Sequence, residues 1–132
     1  MNALLIIGSV FLFVAALVHL LIFFVESVLW TKPRVWQRFG VKSQADADTL
    51  KPVMYNQGFY NVFLALGAGV GLVMMGSENW VQGGVALTMF AGLSMLLAAI
   101  VLLISNRKLW RAALIQGAAP LLGVICLLLA IA

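Results

Sequence analysis

Four stretches of this chain are each long and apolar enough to cross a lipid bilayer: residues 3–30, 52–76, 80–104 and 109–132. A membrane-spanning helix needs about 20 mostly apolar residues. In hydrocarbon the backbone must satisfy its own hydrogen bonds, so each stretch reads as a helix. The composition agrees. Of 132 residues, 64% are hydrophobic and 9% charged, against about 45–50% and about 25% in soluble domains. A soluble monomer of this size cannot bury that much apolar surface in one core. A soluble enzyme, a disordered tail and a nucleic-acid reader are excluded on these grounds. The expected architecture is a single all-α domain, a four-transmembrane-helix bundle. The first span has no basic residue ahead of it and too long an apolar run for a signal peptide, and is expected to be retained.

The charges orient the bundle. Lys32, Arg34, Arg38, Lys42 and Lys51 fall between spans one and two, and Arg107, Lys108 and Arg111 lie at the junction of spans three and four. Together they are all eight basic residues of the chain, whose net charge is +4. The loop at residues 76–80 and both termini hold none. By the positive-inside rule the two basic loops face the cytoplasm and both termini lie outside. The basic charge therefore speaks of membrane orientation, not of nucleic acid.

The first basic loop interleaves cations with aromatics, Lys-Pro-Arg-Val-Trp-Gln-Arg-Phe over residues 32–39. Pro33 suits a first helical turn. Arg34, Arg38 and Lys42 share one face, and Val35 and Phe39 the adjacent one. The pattern predicts a short interfacial helix at the headgroup level, either anchoring to anionic lipid or acting as a lid. Ser43 then suits a helix N-cap, with Asp46 and Asp48 near the positive helix end. Pro52 is expected to kink that helix or restart it as span two. No internal repeat is visible, so an inverted-repeat transporter gains no support.

Polar residues inside spans are costly and usually face a protein interior or a wet cavity. Here they are His19, Glu26, Asn56, Gln57, Tyr60, Asn61 and Gln116, with Ser94 a weaker member. His19 and Glu26 are seven apart and share a helical stripe, about 10 Å apart along the axis. They cannot ligate one metal ion. Cys126, the chain's one cysteine, has no second thiol or histidine with which to build a zinc site. Asn56, Gln57, Tyr60 and Asn61 fall within an arc of about 140°, which Gly67 and Gly71 continue as a GxxxG pair. Gln116 lies four residues before Pro120, so its carbonyl loses its helical donor. Measured from the cytoplasmic ends, Glu26 and Asn56 lie at roughly 5 Å, Gln116, Tyr60 and Asn61 at roughly 10–13 Å and His19 at roughly 15 Å. The outer half holds only scattered Ser9, Gln82 and Thr88.

This distribution predicts a polar pocket open to the cytoplasm and closed outside, not a continuous pore. The bland reading is interhelical glue, worth roughly 0.6–2 kcal/mol per hydrogen bond. A buried carboxylate weighs against glue alone, because its burial is penalised unless paired. His19 and Glu26 are the candidate acid and base of a proton transfer. Asn56, Gln57, Tyr60, Asn61 and Gln116 are the candidate ligand-binding groups. Nucleophilic catalysis is not supported, no phosphate-cradling glycine loop exists, and no cofactor or metal is implied.

The segments VHLLIFFVESVLW, with His19, Phe23, Glu26 and Trp30, and YNQGFYNVFLALG, over residues 55–67, resemble the small bacterial membrane proteins of domain of unknown function 1304. The resemblance rests on the His and Glu of span one and on Asn56, Gln57, Gly58, Tyr60, Asn61, Phe63, Leu64 and Ala65. It implies a four-helix integral membrane protein of the bacterial cytoplasmic membrane, in a family whose members are sometimes labelled epimerase. The leading expectation is a pocket for a small amphipathic or lipid-like molecule, with isomerase-like proton transfer within it. The alternatives are a proton-coupled transporter or efflux subunit, working as a homo-oligomer, and a structural subunit of a larger complex. Gly67, Gly71, Gly83, Gly84 and Gly92 offer that subunit close-packing faces. Membrane lipid is an expected partner in every case.

Overall fold

A computed structural model describes residues 2–132. Helix α1 runs Ala3–Phe23 and continues without a break into a π-helical turn, Phe24–Val28. Helix α2 is the short Pro33–Trp36, extended by a 3₁₀ turn, Gln37–Phe39. Helices α3 (Gln44–Met74), α4 (Val81–Ser105) and α5 (Trp110–Ile131) follow, the last entered through a 3₁₀ turn, Arg107–Leu109. Four helices are long and apolar enough to cross a membrane. The protein is an all-helical, multi-pass membrane-type bundle.

The long helices pack as a closed ring in the order α1, α3, α4, α5 and back to α1, and the α1–α4 diagonal touches little. Ring neighbours run antiparallel, so both termini lie at one end and the basic loops at the other. Asn2 ties the terminal end together. Its side chain accepts the Leu5 N–H as N-cap at 2.9 Å and donates to the Ala130 carbonyl at 3.1 Å.

Lipid tails are as apolar as the helices, so the helices gain by close packing more than by hiding from water. Small residues make that packing. Gly71 of α3 lies against Thr88 and Gly84 of α4, and Gly8 and Gly123 bring α1 against α5. Gly92 receives Leu12 and Val124. Within the GxxxG pair the two glycines differ. A Cβ on Gly71 would strike α4, whereas one on Gly67 would make an ordinary 3.7 Å contact with Ala91. Gly84 and Gly92 are thus spent inside the bundle and are not free faces for a partner.

Two proline expectations resolve differently. α3 starts at Gln44, eight residues before the expected start of span two, and passes through Pro52 as one helix. Pro52 therefore does not restart the helix. Ser43 caps it as expected, accepting the Asp46 N–H at 3.1 Å. Pro120 likewise sits inside a continuous α5. Span one is shorter than expected, since the helix ends at Val28 and a turn reaches Lys32.

The basic loop is packed as well as amphipathic. Arg34, Arg38 and Lys42 are exposed, while Trp36 is buried with Trp30 and Ala47 and flanked by Val35, Phe39 and Met54. The Trp30 indole N–H donates to the Ala47 carbonyl at 2.8 Å, and Phe39 meets Trp30 edge-on at 5.3 Å. Gly40, at φ 81°, supplies the left-handed residue that turns the chain toward α3.

The closest approach to backbone atoms generates a stability prediction. A Cβ on Gly84 would come within 2.6 Å of the Gly71 carbonyl oxygen and the Met75 nitrogen, whereas one on Gly69 meets nothing within 4 Å. Gly84→Ala is expected to destabilise the bundle by about 1–3 kcal/mol, and Gly69→Ala by less than about 0.5 kcal/mol. Unfolding titrations of both variants in mixed micelles check this.

Candidate functional site

The site grows from one stripe of α1. Its buried residues are Leu5, Gly8, Leu12, Ala15, Ala16 and His19, and Glu26 follows in the π-helical turn. The 3–4 spacing keeps these positions facing the interior. The Leu29 N–H reaches back to the Phe24 carbonyl at 2.8 Å, the five-residue hydrogen bond of the π turn. Such turns are rare and concentrate at functional sites. This one lies between His19 and the basic end and carries Glu26, which is 8% exposed.

Facing it, α3 buries Gly58, Asn61, Ala65, Ala68 and Gly71 along a single stripe. Gly58 packs against the Ser27 hydroxymethyl group, where any Cβ would overlap the hydroxyl. The Ser27 hydroxyl donates to the Tyr55 carbonyl at 2.9 Å. This close crossing brings Asn61 to Glu26. The Asn61 Nδ2 donates to Glu26 Oε2 at 3.1 Å and also to the Gln57 carbonyl at 3.1 Å. One amide nitrogen is thereby fixed by its own helix and aimed at the carboxylate of the next. Phe23 and Phe59 close the seam edge-on at 5.1 Å, with Tyr55 against Phe59 at 5.0 Å.

His19 is fully buried, two turns deeper on the same stripe. Its Nδ1 lies 2.9 Å from the Ala15 carbonyl oxygen. A carbonyl only accepts, so Nδ1 carries the proton. The other nitrogen, Nε2, is buried without a hydrogen-bond partner among the described residues. In the neutral ring that nitrogen is an acceptor. Buried polar atoms are nearly always paired, so Nε2 stands out in a core that Ala15, Ala16, Ala65, Ala68, Ala91 and Met95 build one turn away.

The other sequence-expected residues are placed as follows. Asn56, Gln57 and Tyr60 are exposed on the outer face of α3, Tyr60 to 55%. Gln57 reaches the seam only through its backbone carbonyl. Gln116 is half-buried on α5, one turn before the buried Pro120. The structure thus joins Glu26 to Asn61 and sets His19 on their stripe. It leaves three of the four polar side chains of α3 outside the bundle. The arc of about 140° is wider than the face a ring helix buries, and only 28% of the most apolar window of α3 is buried. Ser27, Gly58 and the Tyr55 carbonyl are parts of the seam that side-chain polarity alone does not single out. Two surface grooves, one between α4 and α5 and one along Ile6, Val10, Phe13 and Leu72, do not reach His19 or Glu26.

The model of the family described as protein of unknown function, DUF1304, matches residues 13–128. That stretch holds every residue of the seam and covers most of the chain. The chain belongs to this family. No curated protein and no solved structure matches it.

The seam makes a coupling prediction. In a double-mutant cycle of Glu26→Leu and Asn61→Leu, the pair should show a coupling of about 1 kcal/mol in unfolding free energy. Tyr60→Phe, on the outer face, should change it by less than about 0.5 kcal/mol. Reversible unfolding in mixed micelles measures both. Zero coupling would mean that the two side chains do not meet.

Proposed function

We propose that the protein binds a small amphipathic molecule from its basic, cytoplasmic end, at the seam of α1 and α3. Glu26 and Asn61 hold the polar head of that molecule, and the tail lies among apolar side chains. Within this site Glu26 and His19 form the acid–base pair of an isomerase-like proton transfer on the bound molecule, His19 through its free Nε2. The observation that supports this best is the state of the two ionisable groups. Glu26 is buried yet keeps a small exposed surface and one amide partner, and His19 holds an unpaired ring nitrogen in the core. A network built only for stability gains little from either, because unpaired buried polar groups cost more than they return.

The arrangement of charges supports approach from one side. All eight basic residues lie at the end of the bundle nearest Glu26, and by the positive-inside rule we take that end as the cytoplasmic one. A second reading, the homo-oligomer, is favoured by one observation. Asn56, Gln57 and Tyr60 present polar groups on an outer face, where lipid offers them no partner and a second copy does. Glu26 faces the interior, so a dimer through that face does not pool two carboxylates in one central cavity. That speaks against the proton-coupled efflux alternative.

Native mass spectrometry of gently purified protein tests the proposal. The wild type should carry a bound small molecule that Glu26→Gln and His19→Ala each lose, Glu26→Gln with an unchanged thermal midpoint and His19→Ala with a lowered one, since it empties a fully buried position. Glu26→Gln keeps the size of the side chain and an oxygen for Asn61, so a loss would report on charge and proton chemistry. A wild-type protein as bare as its variants would contradict the proposal.

A further inference from the structure

We infer that the groove between α4 and α5 is a binding site for one anionic phospholipid, separate from the seam of α1 and α3. The groove has a volume of about 440 Å³. Buried Ala99, Ala113 and Gly117 and exposed Leu103, Leu114 and Leu121 line it. It is apolar almost throughout, which suits an acyl chain and not a sugar or a peptide. On α5 it runs from Trp110 to Leu122, about 18 Å at 1.5 Å per residue. One leaflet of the hydrocarbon core is about 15 Å deep. The groove is therefore as long as one acyl chain is deep, and it opens at the basic end of the bundle.

Its mouth carries the charge that an anionic headgroup requires. The Arg111 guanidinium lies over the Trp110 ring, 5.3 Å from its centroid, and Trp110 itself lines the groove. Arg107 and Lys108 are exposed in the 3₁₀ turn just before it. Among the described residues no acid forms an ion pair with them, although Asp46 and Asp48 lie at the same end of the bundle. The four acids of the chain are Glu26, tied to Asn61, Asp46 and Asp48 at the start of α3, and Glu78 at the opposite end. Three cations above an indole at the headgroup level, over a leaflet-deep apolar slot, fit a phosphate-bearing anionic lipid better than a zwitterionic one. An indole at that depth is itself a common interfacial anchor.

The test uses the full chain reconstituted into vesicles of equal phosphatidylglycerol and phosphatidylcholine, then released for native mass spectrometry. The wild type should retain one phosphatidylglycerol in preference to phosphatidylcholine. Each cation removed in the series Arg111→Gln, Lys108→Gln, Arg107→Gln should lower that preference about fivefold. Ala118→Trp, which fills the groove from an exposed position, should lose the retained lipid while the triple Gln variant keeps its fold. Retention without headgroup preference would overturn the inference. So would an undiminished preference in the triple variant, an unaltered lipid in Ala118→Trp, or a lipid-free dimer that Ala118→Trp dissociates.

Discussion

Helices surrounded by lipid cannot be driven together by escape from water, so this bundle depends on how closely its backbones approach. The contact of Gly71 with Thr88 and Gly84 sets α3 against α4, and Gly8 and Gly123 set α1 against α5. Gly58 against Ser27 sets α3 against α1 near the basic end. That last crossing decides the chemistry. With a larger residue at position 58 the helices would separate, and an asparagine amide could not bridge to a carboxylate across the gap. Packing of a side-chain-free position is what makes Glu26 and Asn61 a pair.

Much of this is readable in the sequence once small residues are followed together with polar ones. The positions Gly58, Asn61, Ala65, Ala68 and Gly71 recur every three or four residues and are the buried stripe of α3. Only Asn61 among the four polar candidates of that helix falls on it. Polarity and arc width alone group Asn61 with Asn56, Gln57 and Tyr60, and so overestimate the interior face. On α1 the same spacing runs through Leu5, Gly8, Leu12, Ala15 and His19. The four spans, the two basic loops and the Ser43 cap follow from hydropathy, charge and capping chemistry. The π turn does not follow from them. It inserts one residue into the helix without any composition that marks it. The continuity of α3 through Pro52 is also a tertiary outcome. A proline removes one donor and crowds one carbonyl, and neighbours that hold both flanks of the helix in line outweigh that cost.

The seam reads as a polar site held against an apolar background by unequal partners. The carboxylate has one amide donor and a remnant of exposed surface, while the histidine has one backbone acceptor and one nitrogen left over. Neither group is fully satisfied by the fold. The packed cap of Trp30, Trp36 and Ala47 lies on the same side, between the basic loop and the start of α3. It fixes where the basic loop leaves α1, and so defines the rim around the Glu26 end of the bundle.

The most direct test of this account asks whether one carboxylate is withheld from water. Open membrane fragments containing the protein, with both faces accessible, are treated in parallel with a lipid-soluble carbodiimide and with a water-soluble, membrane-impermeant one, and the modified residues are located by peptide mass spectrometry. The account predicts that the lipid-soluble reagent modifies Glu26, and that the water-soluble one modifies exposed Asp46, Asp48 and Glu78 but leaves Glu26 intact. Modification of Glu26 by the water-soluble reagent as readily as Asp48 would contradict it. In that case the carboxylate would stand in bulk solvent and not in the packed seam of α1 and α3.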